Sequence, residues 1–252
     1  MRTPIIAGNW KMNLNIDQAI ALVDAIHFGL PFPGEVDVIV APTFLCLQKI
    51  AAHLKDSYIG AAAQDLFFED QGAFTGACSG KQIKDAGADY AIIGHSERRS
   101  IFGESNEIVN KKIKAALRNK LIPIMCIGET LAEREAGQVD AVINNQLSAG
   151  LAGLTSPQTA QLVIAYEPVW AIGTGKTAAV EQVEGVHRTI RCALAMKFGA
   201  EISEAIRLLY GGSVKPANSS ELLALPNVDG ALVGGASLSA PDFIEIIESA
   251  NS

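Results

Sequence analysis

A single carboxylate stands at the end of an apolar run in the second half of the chain. The segment QLVIAY is almost entirely apolar, as expected of a parallel strand covered on both faces, and Glu167 follows it directly. Pro168 stiffens the exit, whereas Gly173 and Gly175 permit backbone angles that other residues resist. The pattern predicts a general base beside a lid at residues 168–175, although a solvated glutamate in an ordinary strand-to-helix loop fits this stretch equally well.

The glycine-rich connection also invites two nucleotide-binding interpretations, and its spacing excludes both. A P-loop would need a glycine five positions before Gly175, where Trp170 stands. A dinucleotide-binding fingerprint could begin at Gly173, but six residues separate this glycine from the end of the strand at Tyr166. Ala193 occupies the place where that fingerprint requires an acid. We therefore expect no nucleotide cofactor at this loop.

Two further loops carry side chains that could act together with this carboxylate. Asn9 and Lys11 lie two positions apart after the first apolar run, so their side chains can point the same way. Lys11 would attract an anionic substrate, whereas a solvated surface lysine is the commoner role. His95 begins the segment HSERRS, in which Ser96 is a plausible helix cap. Because the amino-terminal end of a helix opposes protonation, we expect a neutral His95 that donates a hydrogen bond.

The elements that must position these residues alternate regularly along the chain. Eight apolar, β-branched runs are separated by segments of helical period. The runs cover residues 5–7, 36–41, 58–63, 90–93, 121–127, 162–166, 206–210 and 231–233. Such alternation without a linker predicts an α/β protein with a single (β/α)8 barrel domain over residues 1–252, and a doubly wound open sheet is the alternative. In a barrel, the active site lies at the carboxyl ends of the strands.

Paired glycines follow the last two apolar runs, in YGGSVKP and LVGGASL. Glycine pairs allow backbone amides to close on an anion, and the loops after strands seven and eight usually hold phosphate in this fold. One pair is weak evidence, but two pairs at these places predict a phosphate site. Its candidate residues are Gly212, Ser213, Gly234 and Gly235.

Composition narrows the classes of function. With 49% hydrophobic residues the chain can bury a large core, and its net charge of −7 argues against general binding to nucleic acid or anionic membranes. The amino terminus lacks a secretory signal and no stretch approaches a membrane span, which predicts a cytoplasmic protein. The four cysteines, Cys46, Cys78, Cys126 and Cys192, are too far apart to suggest a zinc site or a disulfide framework. We expect reduced thiols, no metal and no other cofactor.

A long loop with several glycines follows the third apolar run, and loops of this length inside a compact domain usually bind something. Within its QGAFTG segment, Phe74 would be open to solvent unless it is covered. The loop therefore either packs on itself or meets a second subunit.

The motifs GNWKMN, GAFTG, IIGHSERR, AYEPVWAIGTGKTA, YGGSVKP and DGALVGGASL together resemble the triosephosphate isomerases, in the same order and over essentially the whole chain. The resemblance implies interconversion of dihydroxyacetone phosphate and glyceraldehyde 3-phosphate through an enediol or enediolate, in glycolysis and gluconeogenesis. A glutamate base, a neutral histidine and a closing loop are established features of that family.

Matched motif by motif, the resemblance implies a role for each residue of the predicted site. Glu167 would move the proton between two carbons, and His95 would polarise and protonate the carbonyl oxygens. Asn9 and Lys11 would stabilise the developing negative charge. The implied phosphate-binding residues are Gly173, Ser213, Gly234 and Gly235, and the implied supporting residues are Ser96, Glu97 and Cys126.

The resemblance also implies a homodimer in which Phe74 and Thr75 reach the neighbouring subunit. This chain departs from the family at Ala77, where a glutamate often follows GAFTG. That glutamate can pair with the residue matching Arg98 across the subunit boundary. We therefore expect Arg98 to rely on a carboxylate of its own chain, with Glu104 the nearest plausible one.

Two other functions stay open from the sequence. A phosphosugar aldolase or lyase on the same barrel would use Lys11 or Lys176 as a Schiff base, which borohydride would trap. A sugar phosphate-binding protein without catalysis would keep the glycine pairs but would not need Glu167 and His95, which are both present. A coupled isomerase assay distinguishes both from an isomerase.

Overall fold

The eight apolar runs of the sequence are the strands of a closed parallel barrel. The structure, a computed structural model, describes residues 2–30, 32–172 and 177–251. Each strand pairs with the next along the chain, and the eighth returns to the first. The strands are β1 (Ile5–Asn9), β2 (Asp37–Ala41), β3 (Ile59–Ala63), β4 (Tyr90–Ile93), β5 (Ile122–Ile127), β6 (Val163–Tyr166), β7 (Arg207–Tyr210) and β8 (Gly230–Val233). The predicted barrel is confirmed, and the open-sheet alternative is wrong because β8 pairs with β1.

Helices cover the outside of the barrel. They are α1 (Ile16–Gly29), α2 (Phe44–His53), α3 (Gly80–Asp85), α4 (Ser96–Ser100), α5 (Asn106–Arg118), α6 (Leu131–Glu135), α7 (Val139–Gly150), α8 (Ser156–Thr159), α9 (Val180–Phe198), α10 (Ala200–Ala205), α11 (Pro216–Leu223) and α12 (Ala240–Ser249). Short 3-10 turns at Val169–Ala171 and Gly235–Leu238 follow β6 and β8. The described helices include none that is long and apolar enough to cross a membrane.

The strands are apolar throughout because both of their faces are buried. In β6, Val163 and Ala165 belong to the apolar cluster inside the barrel, while Ile164 and Tyr166 belong to the larger cluster between the strands and the helices. Alternate residues of a strand share one face, so Glu167 continues the inward series. The strand thereby directs the carboxylate toward the mouth of the barrel.

The seam between β7, β8 and β1 depends on two residues at the start of β8. Gly230 has a φ of 134°, a region that favours glycine, and a Cβ there would lie 1.9 Å from the carbonyl oxygen of Ile5. The buried carboxylate of Asp229 accepts a hydrogen bond from the backbone N–H of Leu208 at 2.8 Å and pairs with Arg191 at 2.6 Å. The charged side chain of Asp229 therefore links the start of β8 to β7, where the two strands share only a short run of backbone hydrogen bonds.

His187, on α9, is a fully buried histidine whose ring centroid lies 5.8 Å from that of Tyr166. Its Nδ1 donates to the carbonyl oxygen of Asn227 at 3.0 Å, and its Nε2 has no hydrogen-bond partner among the described residues. Burial lowers the pKa of His187 to about 4, and the bond to Asn227 offsets this only in part. The imidazole is therefore neutral at physiological pH.

We predict that His187 makes the fold sensitive to mild acid. The unfolded chain binds a proton at this residue near pH 6.5, while the folded chain does not until about pH 4. The free energy of unfolding therefore falls by about 3 kcal/mol as the pH falls through this window, because the unfolded chain takes up a proton at His187 and the folded chain does not.

The measurement is urea unfolding between pH 7.5 and 4.5. His187→Asn keeps a donor for Asn227 and should remove this part of the pH dependence, whereas His53→Asn, at an exposed position, should keep it. If the free energy of unfolding has the same slope against pH in the wild type and in His187→Asn, the prediction is contradicted.

Candidate active site

The predicted residues converge on a pocket of about 480 Å³ at the carboxyl ends of the strands. The predicted residues in its walls are Asn9, Lys11, His95, Glu167, Gly212, Ser213, Gly234 and Gly235. Gly173 lies outside the described residues, as does most of the carboxyl-terminal half of the predicted lid. A larger cavity of about 820 Å³ lies at the opposite end of the barrel and contains none of these residues. The loops at the carboxyl end carry the chemistry in this fold, so the smaller pocket is the candidate site.

Glu167 is the buried carboxylate of this pocket, with a side chain that is 2% exposed. Its Oε2 accepts a hydrogen bond from the backbone N–H of Ser96 at 2.8 Å, and its Oε1 accepts one from the Ser96 hydroxyl at 3.2 Å. Oε1 also lies 2.9 Å from Nε2 of His95. These donors satisfy a buried charge that would otherwise be costly. Ser96 therefore touches the predicted base directly.

Two glycines give Glu167 the space that it occupies. A Cβ at Gly128 would lie 1.7 Å from the backbone oxygen of Glu167, and a Cβ at Gly211 would lie 2.9 Å from its Cγ. Any side chain at either position would displace the carboxylate. The sequence does not reveal this role of Gly128, because its contact with Glu167 joins neighbouring strands.

His95 directly precedes α4, and its ring nitrogen caps the helix. The Nδ1 of His95 accepts a hydrogen bond from the backbone N–H of Glu97 at 3.2 Å. The prediction that Ser96 caps this helix is therefore wrong: Ser96 is its first residue, and its hydroxyl binds Glu167. With Nδ1 as an acceptor, the proton of the neutral ring lies on Nε2, which donates to Glu167.

The pKa of His95 moves opposite to the expectation from the helix end. Burial lowers this pKa, but the charge of Glu167 and the hydrogen bond to it raise it, and the net shift is upward. Helix α4 has only five residues, so its end opposes protonation weakly, whereas Glu167 is in direct contact. Protonation at Nδ1 would break the bond from Glu97. The hydrogen bond from Glu97 therefore favours the neutral ring, whereas the negative charge of Glu167 favours the protonated ring.

Lys11 lies at the floor of the pocket in a strained backbone conformation, with a φ of 51°. Its N–H donates to Oδ1 of Asn9 at 3.0 Å, and its Nζ donates to Oε1 of Glu97 at 2.7 Å. The amide of Gln64 donates to the carbonyl oxygens of Lys11 and Ala41, each at 2.8 Å. Gln64 was not predicted from the sequence, although its position directly after the third apolar run could have indicated that it faces the mouth of the barrel.

The loops after β7 and β8 line the other side of the pocket. Gly212 packs against Tyr210 so closely that a Cβ would lie 2.2 Å from the hydroxyl, and a Cβ at Gly234 would lie 3.7 Å from Cε of Lys11. Gly235 starts the 3-10 turn after β8. Further lining residues that the sequence did not reveal are Trp10, Ile172, Gly211, Val214, Lys215, Leu232 and Asp242. All but Asp242 lie within the quoted motifs, but no residue type or spacing in those motifs singles them out, and only the fold places them here.

Comparison with known proteins agrees with this geometry. The family model described as triosephosphate isomerase matches residues 4–250. The triosephosphate isomerase of Citrifermentans bemidjiense is 50% identical over 98% of both chains, and that of Streptococcus equi subsp. zooepidemicus is 50% identical over 99% of both. The chain belongs to the triosephosphate isomerase family. It is therefore an isomerase, and the crystal structure of triosephosphate isomerase from Bartonella henselae superposes with a TM-score of 0.90, at 40% identity and covering 99% of this chain and 100% of that one.

A second buried carboxylate lies beside the active site of this family member. Oε1 of Glu129 accepts hydrogen bonds from the Tyr166 hydroxyl at 3.1 Å, Nε1 of Trp170 at 2.9 Å and Nη1 of Arg134 at 2.9 Å. Glu129 lies two residues before the charged helix α6, which begins at Leu131, and it is fully buried. Burial raises the pKa of Tyr166, and the charge of Glu129 adds to the rise, so the hydroxyl stays a donor.

Cys126 lies inside the barrel beneath Glu167. Burial raises the pKa of its thiol well above the usual value, and the charge of Glu167 adds to the shift. The thiol is therefore protonated and unsuited to act as a nucleophile. The carbonyl oxygen of Cys126 accepts a hydrogen bond from Arg99 at 3.1 Å. The thiol of Cys126 contacts the Glu167 carboxylate, whereas Glu97 binds Lys11.

Arg98 pairs with carboxylates of its own chain, as expected. Its Nε lies 2.5 Å from Glu104 and 3.0 Å from Asp65. Lys112 approaches the same two carboxylates, each at 2.6 Å. The Glu104 pair was predicted from the substitution to Ala77, but Asp65 was missed because it lies in a different loop.

We predict that the carboxylate of Glu167 sets the pKa of His95. Glu167→Gln keeps a side chain that can accept from Ser96 and His95 but removes the charge that raises the pKa. Titration of the ring nitrogens by NMR should show a lower pKa for His95 in Glu167→Gln than in the wild type. Glu135→Gln, on an exposed part of α6, is the control and should leave it unchanged. A pKa that rises in Glu167→Gln would contradict this assignment.

Proposed function

We propose that this isomerase interconverts dihydroxyacetone phosphate and glyceraldehyde 3-phosphate through an enediol or enediolate, as a step of glycolysis and gluconeogenesis. The observation that carries the proposal is the buried carboxylate of Glu167 in contact with Nε2 of His95, at the mouth of a pocket with paired glycines. Membership of the family supports the same substrates. The reaction needs no cofactor, because one proton moves between adjacent carbons.

Glu167 acts as the base in this proposal. It leaves its bonds to Ser96, takes a proton from the carbon beside the carbonyl group and returns it to the neighbouring carbon. The electron pair of the broken C–H bond forms the C=C bond of the enediolate, and negative charge develops on the carbonyl oxygen. Nε2 of His95 donates to that oxygen, and the charge of Lys11 and the amide of Asn9 stabilise it. His95 protonates this oxygen and takes the proton of the hydroxyl group on the adjacent carbon, so that a new carbonyl group forms there when Glu167 returns its proton.

The phosphate group binds at the other side of the pocket. Backbone amides at Ser213, Gly234 and Gly235 hold it, together with Gly173, which lies outside the described residues. Residues 168–175 close over the substrate and shield the enediolate from water. The bond from Trp170 to Glu129 anchors the start of this segment beside the pocket.

We further propose a homodimer of chains that each form one domain over residues 1–252, in the cytoplasm, without nucleic acid or membrane partners. Phe74 stays 43% exposed although its ring packs 4.4 Å from Phe67, and Thr75 beside it is exposed. Met12 and Phe102, in other loops at the same end of the barrel, are 92% and 64% exposed. Apolar surface of this kind favours a partner subunit.

The arrangement of Lys11 argues against an aldolase or lyase. A Schiff base requires a neutral amine, whereas the Lys11 ammonium donates to Glu97 at 2.7 Å. The other candidate, Lys176, lies outside the described residues.

We predict that Glu167→Gln abolishes most turnover while substrate analogues still bind. Removal of a general base costs about 10²–10⁴-fold in kcat, and the phosphate site is unaltered. A coupled assay with each triose phosphate gives kcat, and calorimetry with glycerol 3-phosphate gives binding. Glu135→Gln is the matched control and should retain wild-type kcat. Near-normal turnover by Glu167→Gln would sink the mechanism.

We predict that Ala77→Glu strengthens the dimer by less than about tenfold and that salt erodes the gain. The gain is small because Arg98 already has two carboxylate partners in its own chain. Phe74→Ala should weaken association far more, since it removes apolar contact area. Sedimentation equilibrium at low and high salt measures all three proteins. A weaker dimer in Ala77→Glu would show that the proposed pair does not form.

A further inference from the structure

The walls of the active-site pocket contain two lysines within the described residues, and they differ in how their charge is compensated. Nζ of Lys11 lies 2.7 Å from Oε1 of Glu97. Lys215, by contrast, has no carboxylate oxygen within 4.0 Å in the part of the chain that the structure describes, and it is exposed at the rim. The positive charge of Lys215 is therefore available to an incoming anion, whereas that of Lys11 is partly neutralised.

The backbone of Lys215 is fixed two residues after Ser213, at the start of α11. Its N–H donates to Oδ1 of Asn218 at 2.8 Å, and Nδ2 of Asn218 donates to the carbonyl oxygen of Ser213 at 3.0 Å. Pro216 follows as the first residue of the helix. These bonds involve the main chain of Lys215 and Ser213 and the side chain of Asn218, so neither of them uses the side chain of Lys215.

The charge of the whole molecule makes an uncompensated cation at this rim important. The chain carries a net charge of −7, and Glu167 and Asp242 add two carboxylates to the walls of the pocket. A phosphate monoester bears a charge of about −1.5 to −2 at neutral pH. Charges beyond about 10 Å are largely screened at 0.1 M salt, so attraction must come from groups near the mouth.

We infer that Lys215 is a further substrate-binding residue, whose ammonium group draws the phosphate of the substrate into the site formed by Ser213, Gly234 and Gly235. The inference rests on the proposed function and extends it. Lys215 acts on the approach and binding of the phosphate group, not on the proton transfer at Glu167. Its contribution therefore appears in kcat/KM and in the affinity for phosphate monoesters, while kcat is unaffected.

The test compares Lys215→Gln and Lys215→Glu with the same substitutions at Lys55. Lys55 is exposed and lines the cavity at the opposite end of the barrel, so its variants change the net charge equally without altering the pocket. kcat and KM for glyceraldehyde 3-phosphate are measured from about 0.01 to 0.3 M ionic strength, and calorimetry gives the Kd of glycerol 3-phosphate.

At low ionic strength we expect kcat/KM to fall about threefold in Lys215→Gln and about tenfold in Lys215→Glu, with kcat within about twofold of wild type. The loss should shrink to about twofold at 0.3 M, and the Kd of glycerol 3-phosphate should rise in parallel. The Lys55 variants should stay close to wild type.

The inference is overturned if Lys215→Glu and Lys55→Glu give the same kcat/KM at low salt. It is equally overturned if the loss lies in kcat and is independent of salt, because that pattern indicates a structural role. A wild type that binds glycerol 3-phosphate but converts no triose phosphate would refute the proposed function. In that case the Kd series alone decides the role of Lys215.

Discussion

Closure of the barrel is the constraint on which the whole site depends. The site residues come from the loops after β1, β4, β6, β7 and β8, and these loops meet only because the last strand pairs with the first. Gly230 permits that pairing, since a side chain there would collide with the backbone of Ile5. Asp229 adds a hydrogen bond to β7 and an ion pair to α9 at the same seam. Lys11 and Gly234, which lie on opposite sides of the seam, approach each other through this closure.

The fold and the centre of the site were readable from the sequence because each depends on local patterns. Strands buried on both faces are apolar throughout, and the residue after such a strand in a barrel faces the mouth, which located Glu167 and His95. The burial of Glu129 could not be predicted from the sequence, because it precedes a charged segment, while its partners Tyr166 and Trp170 lie about forty positions further on. The pKa of His95 depends on a 2.9 Å contact with Glu167 that no spacing reveals. Gln64 stands outside the quoted motifs, and nothing in YGGSVKP singles out Lys215, so only the folded chain places these two residues at the site.

The main chain on either side of Pro168 is bound to the loop after β5. The N–H of Glu167 donates to the carbonyl oxygen of Ile127 at 2.7 Å, and the N–H of Val169 donates to that of Glu129 at 3.1 Å. Gly128 lies between these two carbonyl groups and leaves room for the backbone of Glu167. Glu167 therefore has a fixed backbone, and a change in its contacts with Ser96 requires rotation of its side chain alone.

The pairing of Arg98 has a consequence for how this sequence can change over time. Both of its carboxylate partners belong to the same chain, so its charge stays compensated whatever residue occupies position 77. Substitutions at position 77 and at position 98 are therefore independent of each other during evolution. The exposed loop around Phe74 can consequently accumulate substitutions one at a time, under selection for its apolar contacts and without selection for a matching charge.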